Sequence, residues 1–147
     1  MIKLQSIDQI QDEIIEEFEE FSDWEEKYSY LIEQGVELPK IDANCKVKDN
    51  LVMGCQSQVW LIPDYDKKNQ VMLFKADSDS MIVKGLISLL LRMYSEQKPE
   101  DILSTELYVF EQIGLKGHLS PSRANGLSAM IRDIKKFSFA FNNNSNN

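Results

Sequence analysis

Val52-Met53-Gly54-Cys55-Gln56-Ser57-Gln58-Val59-Trp60-Leu61 is the stretch around which the rest of the chain is organised. Gly54 reaches backbone angles that other residues avoid, which predicts a tight bend just before Cys55. After it, Val59-Trp60-Leu61-Ile62 has the β-branched and aromatic content of a strand, bounded by Pro63. Residues 50–53 and 56–62 are therefore read as strands around the Gly54-Cys55 turn. A turn-rich segment, 63–69, leads to a third strand at 71–76. Three consecutive short strands predict an antiparallel meander, and so small a sheet needs helices on one face. The expected fold class is α+β, a small three-stranded antiparallel sheet covered by helices. Cys55 then lies at a loop tip, where reactive residues are often found. A free cysteine is equally at home as a small buried hydrophobe, and these ten residues leave both readings open.

Upstream, Ser6 with Gln9 three residues later is a capping-box signature. Ile7, Ile10, Ile14, Phe18 and Phe21 follow at helical spacing, with a solvated acidic side made by Asp12, Glu13, Glu16, Glu17, Glu19 and Glu20. Ser22 with Glu25 predicts a second helix, its stripe Trp24, Tyr28, Leu31 and Ile32, with Gly35 as a C-terminal stop. Residues 40–50, which hold Cys45, are polar and aperiodic, so they read as a connector with an incidental exposed thiol.

Downstream, Asp77-Ser78-Asp79-Ser80 clusters helix-capping residues before 81–94, which is apolar almost all round and predicts a central buried helix. Pro99 opens a short helix, another short segment spans 107–113 and ends at Gly114, and Ser120-Pro121 starts a long last helix. No linker divides the chain. Residues 1–141 are expected to form one domain, and 142–147 (Asn-Asn-Asn-Ser-Asn-Asn) a disordered tail.

The chain has 147 residues, enough to bury a substantial core in one domain. Sixteen basic and twenty-four acidic residues leave a net charge of −8, which argues against nucleic acid and anionic membrane as partners. The N-terminal stretch MIKLQSIDQIQDEII places acids where a secretory signal needs an apolar core, and the most apolar segment is too short to span a bilayer. Two cysteines make a poor disulfide framework, so a cytoplasmic location with reduced thiols is expected. Cys45, Cys55 and the single His118 lack metal-ligand spacing, and a closed zinc or iron–sulfur site normally takes four ligands. There is no glycine-rich phosphate loop and no GxSxG elbow. What remains is one thiol with few activators: Arg123, His118 and the amides at helix starts.

Four stretches carry a family resemblance: DWEEKYSYLIEQGVELP from Asp23, VMGCQSQVWL from Val52, ADSDSMIVKGLISLLL from Ala76 and HLSPSRANGL from His118. In this order they resemble the SufE-type sulfur acceptor proteins, partners of a pyridoxal-phosphate-dependent cysteine desulfurase in iron–sulfur cluster assembly. The resemblance implies a small sheet with helices mainly on one side, related to scaffolds of the IscU type. It implies that Cys55 takes persulfide sulfur from a SufS-type desulfurase, stimulates that enzyme and passes the sulfur to an iron–sulfur scaffold. Gly54, Gln56, Asp79, His118 and Arg123 are the supporting residues expected around Cys55. No cofactor is expected in this chain, since the pyridoxal phosphate belongs to the partner. The chain is expected to act as a transpersulfuration partner, a monomer or weak dimer, rather than as a stand-alone enzyme. A redox-active thiol protein or sensor using Cys55, with Cys45 as resolving cysteine, is the alternative reading.

Overall fold

The computed structural model describes residues 5–145. Helix α1 (Ile7–Glu19) starts at the capping box: Ser6 Oγ accepts the Gln9 N–H at 3.1 Å, and the Gln9 side chain accepts the Ser6 N–H at 2.9 Å. It buries Ile7, Ile10, Ile14 and Phe18. Part of its acidic side is used internally. Arg92 donates to Glu17 at 2.8 Å and to Glu13 at 3.3 Å, and the Tyr30 hydroxyl also donates to Glu17. The Arg92 guanidinium holds the Glu17 carboxyl below its usual range against the effect of burial, while burial and Glu17 push the Tyr30 hydroxyl up to about 12. Three helices are thereby tied at one point.

Helix α2 (Trp24–Val36) is capped by Asp23, one residue later than expected. Its carboxylate accepts the Glu26 N–H at 2.9 Å, and Glu26 in return accepts the Ser22 N–H at 3.2 Å. Between two good capping residues the charged one also meets the positive end of the helix dipole. Gly35 does not stop this helix. It is buried inside it, where α3 (Met81–Tyr94) crosses: a Cβ on Gly35 would lie 2.7 Å from the Gly85 nitrogen. Two facing glycines let the two backbones touch.

Strands β1 (Val59–Asp66) and β2 (Val71–Ser78) pair antiparallel, from Val59 opposite Ser78 to Asp66 opposite Val71. Among the described residues the sheet is two-stranded, a correction to the expected three. Residues 50–53 add only the bridge of Leu51 to Trp60, with the Val52 N–H donating to Val59 at 2.8 Å. A 3₁₀ turn (Lys48–Asn50) on one side and the bend at Gly54 on the other leave no length for a ladder. Nor does Pro63 end β1. The Phe74 N–H opposite it turns away to Ser95 Oγ at 3.2 Å, so this pair exchanges no hydrogen bonds and the missing proline N–H costs nothing there.

The 40–50 connector contains two 3₁₀ turns, Ala43–Cys45 and Lys48–Asn50, and Cys45 is half-buried rather than exposed. Lys46 ties this connector to the sheet, 3.0 Å from the Asp77 carboxylate and 5.3 Å above the Trp60 ring. Asp77 also meets Lys84 at 3.3 Å; although burial opposes its charge, these partners hold its carboxyl below the ordinary value.

After α3 come α4 (Pro99–Ser104), α5 (Val109–Gln112) and α6 (Pro121–Ser145). Helix α6 runs past the boundary expected at 141, and residues 146–147 of the predicted tail lie outside the described residues. One hydrophobic core collects Ile14, Leu31, Leu61, Leu86, Leu90 and Ile134 from α1, α2, β1, α3 and α6. Within it Tyr94 is fully buried, and its hydroxyl has no partner, alone in this among the buried side-chain nitrogen and oxygen atoms of the described residues.

Candidate functional site

The segment between β1 and the Leu51 bridge makes the bend that glycine permits: Gly54 has φ +96°, a left-handed conformation that strains any residue with a Cβ. Met53 before it stands 71% exposed. Cys55 turns the other way, half-buried, under the loop and against α6. Its thiol donates to the Gly126 carbonyl, with Sγ 3.6 Å from the oxygen. A Cβ at position 126 would sit 3.4 Å from that sulfur, so glycine there leaves the thiol room. Cys55 faces a cleft of about 270 Å³ lined also by Ser57, Val83, Ser120, Arg123 and Met130.

Both ends of this loop are pinned. At Gln58 the backbone N–H donates to the Asp79 carboxylate at 3.1 Å, and the carbonyl accepts from Ser78 Oγ at 2.7 Å and from the Asp79 N–H at 3.3 Å. At Met53 the carbonyl accepts from Arg132 Nη2 at 2.9 Å, and Arg132 Nε lies 3.0 Å from Asp133 Oδ1.

Electrostatically the resting site favours the neutral thiol. Burial pushes the Cys55 thiol up, the Asp133 carboxylate adds to this, and the Arg132 guanidinium opposes it. The Gly126 carbonyl reinforces the preference, because it accepts the thiol proton and has nothing to offer a thiolate. Labelling of Cys55 by iodoacetamide should therefore rise with pH along a curve whose midpoint lies above about 8.5, the value of a free cysteine. A midpoint at or below that of the urea-unfolded chain would contradict the sheltered thiol.

The other expected residues fall unevenly. Gly54 supplies the bend, Gln56 lines the cleft, and Asp79 holds the loop through Gln58. Arg123 lines the same cleft from the first turn of α6, where its N–H donates to Ser120 Oγ at 3.3 Å. His118 does not join them. Its ring stacks on Trp24 with centroids 4.0 Å apart, and its carbonyl accepts from the Tyr28 hydroxyl. The 3₁₀ turn Leu115–Gly117 delivers it to the start of α2 before the chain enters α6. Gly126, Arg132, Asp133 and Ser78 bear on the loop without having been singled out. A glycine inside an apolar helical pattern is itself a sign of close approach; Arg132 and Asp133 carry no such sign.

Among the described residues no three His, Cys, Asp or Glu side chains are grouped so as to hold a metal ion. No helix among them is long and apolar enough to cross a membrane.

Fold and site together define an α+β domain that presents one thiol, on a loop bent at Gly54, to a small cleft beside a helix start. Residues 12–138 match the SufE family, the Fe–S metabolism associated domain, and the chain belongs to that family. It is 40% identical over 128 residues to an uncharacterized SufE-like protein of Rhizobium etli, covering 85% of this chain and 86% of that one. To an uncharacterized SufE-like protein of Rhizobium meliloti it is 40% identical over 127 residues, with 84% and 91% covered. The fold is also that of a hypothetical protein from Thermus thermophilus, at a TM-score of 0.71 and 19% identity over 89% of this chain and 94% of the other.

Proposed function

We propose that this protein is a sulfur acceptor and carrier: Cys55 takes the outer sulfur of a persulfide held by a SufS-type cysteine desulfurase and delivers it to an iron–sulfur scaffold. The observation that carries this reading is the Cys55 thiol, drawn under a glycine hinge into a cleft that also holds Arg123. Family membership supports the setting in iron–sulfur metabolism.

The transfer is a thiol exchange at sulfur. The Cys55 thiolate attacks the terminal sulfur of the partner's Cys–S–SH. A new bond forms from Cys55 Sγ to that sulfur, the bond between the partner's two sulfurs breaks, and its electron pair leaves on the partner's cysteine thiolate. The proton given up by Cys55 replaces the one the partner's thiolate needs, so no oxidant or reductant enters. Sulfur stays covalently bound at every stage.

The resting geometry suits a carrier that reacts only on encounter. A neutral, half-buried thiol is a poor target for oxidants, and the loop between Met53 and Gln58 swings out on encounter, breaking the thiol's hydrogen bond to the Gly126 carbonyl. Once outside, the thiol escapes the burial that holds its pKa up. Arg123 and the first turn of α6 line the cleft to which the loop returns, where they favour the persulfide anion.

Clearing persulfide from the desulfurase frees its cysteine for another cycle. Titrating this protein into a cognate desulfurase supplied with cysteine should raise the rate of alanine release to a plateau. A flat titration would mean that the pair does not exchange sulfur and that the acceptor reading is wrong for it.

A further inference from the structure

We infer that Arg132 is a positioning residue that latches the Cys55 loop shut, and that a partner opens the site by drawing its guanidinium away from the Met53 carbonyl. This rests on the sulfur-acceptor reading and adds to it the element that keeps the acceptor closed.

The two anchors of the loop differ in kind. At Gln58 three hydrogen bonds come from the end of β2 and the residue after it, neighbours of the strand pair itself. At Met53 one side chain reaches across from the middle of α6, a residue 79 positions away in sequence, to bind a backbone carbonyl at 2.9 Å. That carbonyl directly precedes Gly54, whose φ of +96° marks where the backbone turns. A single bond at the hinge can be released without disturbing the sheet. Releasing the Gln58 anchor would disturb the end of β1.

Arg132 is built to be both held and taken. Its Nε contact with Asp133 at 3.0 Å orients the guanidinium toward the loop and leaves Nη2 for Met53. The Arg132 side chain is 53% accessible and the Asp133 side chain 18%, so a partner reaches the arginine first. A guanidinium prefers a planar two-oxygen acceptor to one neutral carbonyl. The chemistry that would open the latch is thus a carboxylate on the partner's docking surface, close to its persulfide. Met53, with its side chain turned outward at 71% exposure, is the adjoining apolar contact for such a surface.

The charge of Arg132 makes the test discriminating. Its guanidinium lowers the Cys55 pKa, so removing it makes the thiolate scarcer and by electrostatics alone slows alkylation. Faster labelling of an Arg132 variant therefore reports readier exposure of the thiol and not its ionisation. Iodoacetamide labelling of Cys55 at fixed pH should be at least about ten-fold faster in Arg132→Met than in the wild type, the lower end of what loss of one hydrogen bond to a charged group gives. Arg132→Lys, which restores a cationic donor, should return most of the way. Thermal midpoints of all three should agree. A catalytically inactive desulfurase should accelerate labelling of the wild type and leave Arg132→Met nearly unchanged, because its latch is already gone.

Labelling of Arg132→Met at or below the wild-type rate would overturn the proposal. So would equal acceleration in the Met and Lys variants together with lowered midpoints, which is general loosening of the fold. The labelling of the free protein needs no desulfurase. A wild type that takes up no sulfur while Arg132→Met still opens would therefore sink the acceptor reading and leave the latch standing.

Discussion

Cys55→Ser is expected to bring alanine release back to the level of the desulfurase alone and to leave the variant carrying no sulfur, whereas Cys45→Ser behaves as the wild type. Serine keeps nearly the shape of cysteine, but its hydroxyl is hardly ionised near neutral pH and is a poor nucleophile without a base to activate it. No imidazole lines the cleft; the only histidine in the chain stacks on Trp24. Cys45 has none of the equipment of Cys55. Its carbonyl is bound by the Asn50 side chain at 2.8 Å, and the next residue, Lys46, is fixed to Asp77 and lies over Trp60. Its connector is fastened down, with no glycine bend to release it. Stimulation that survived in Cys55→Ser, measured by alanine release, would move the acceptor elsewhere in the chain.

The second large effect is on stability and lies away from the site. Gly85→Ala should cost about 3 kcal/mol, the upper part of the usual range for overpacking a core. A Cβ at this position would stand 2.6 Å from Leu31 Cγ and still closer to the Leu31 carbonyl, so neither helix has a flexible side chain to move aside. Either α2 and α3 separate, or the main chain of α2 bends. For a domain of this size the loss corresponds to a melting midpoint lower by roughly 10 °C. The same substitution at Gly117, where a Cβ would meet nothing within 4 Å, should be close to neutral and serves as control. Equal midpoints for the two variants by circular dichroism would show that the helix crossing tolerates a methyl group.

Where one local rule governed, the sequence was legible. The box at Ser6 and Gln9 opens α1, the bend falls at Gly54, and 81–94 is the buried helix that its apolar composition required. Where two rules competed, local reading failed. Gly35 looks like a helix stop until Gly85, fifty positions on, is known to face it. Residues 50–53 have strand composition, yet a turn on each side leaves them a single bridge. The site divides the same way. Cys55, Gly54 and Arg123 stand in distinctive local motifs. Arg132 and Asp133 sit on a charged helix face like any other, and only the tertiary fold brings Arg132 to the Met53 carbonyl. His118, expected beside Cys55, lies outside the cleft lining with its ring stacked on Trp24, a contact between α2 and the turn before α6 that local sequence does not display.

The central claim is that one sulfur atom comes to rest on Cys55. Incubation of the wild-type protein with a cognate desulfurase and cysteine, followed by intact mass and then by mass of the peptide containing residues 52–61, tests it most directly. A gain of a single sulfur atom is expected, located on Cys55 and removed by a reducing thiol. Alanine formed at the stimulated rate with no sulfur on that peptide, or with the sulfur on Cys45, would contradict it.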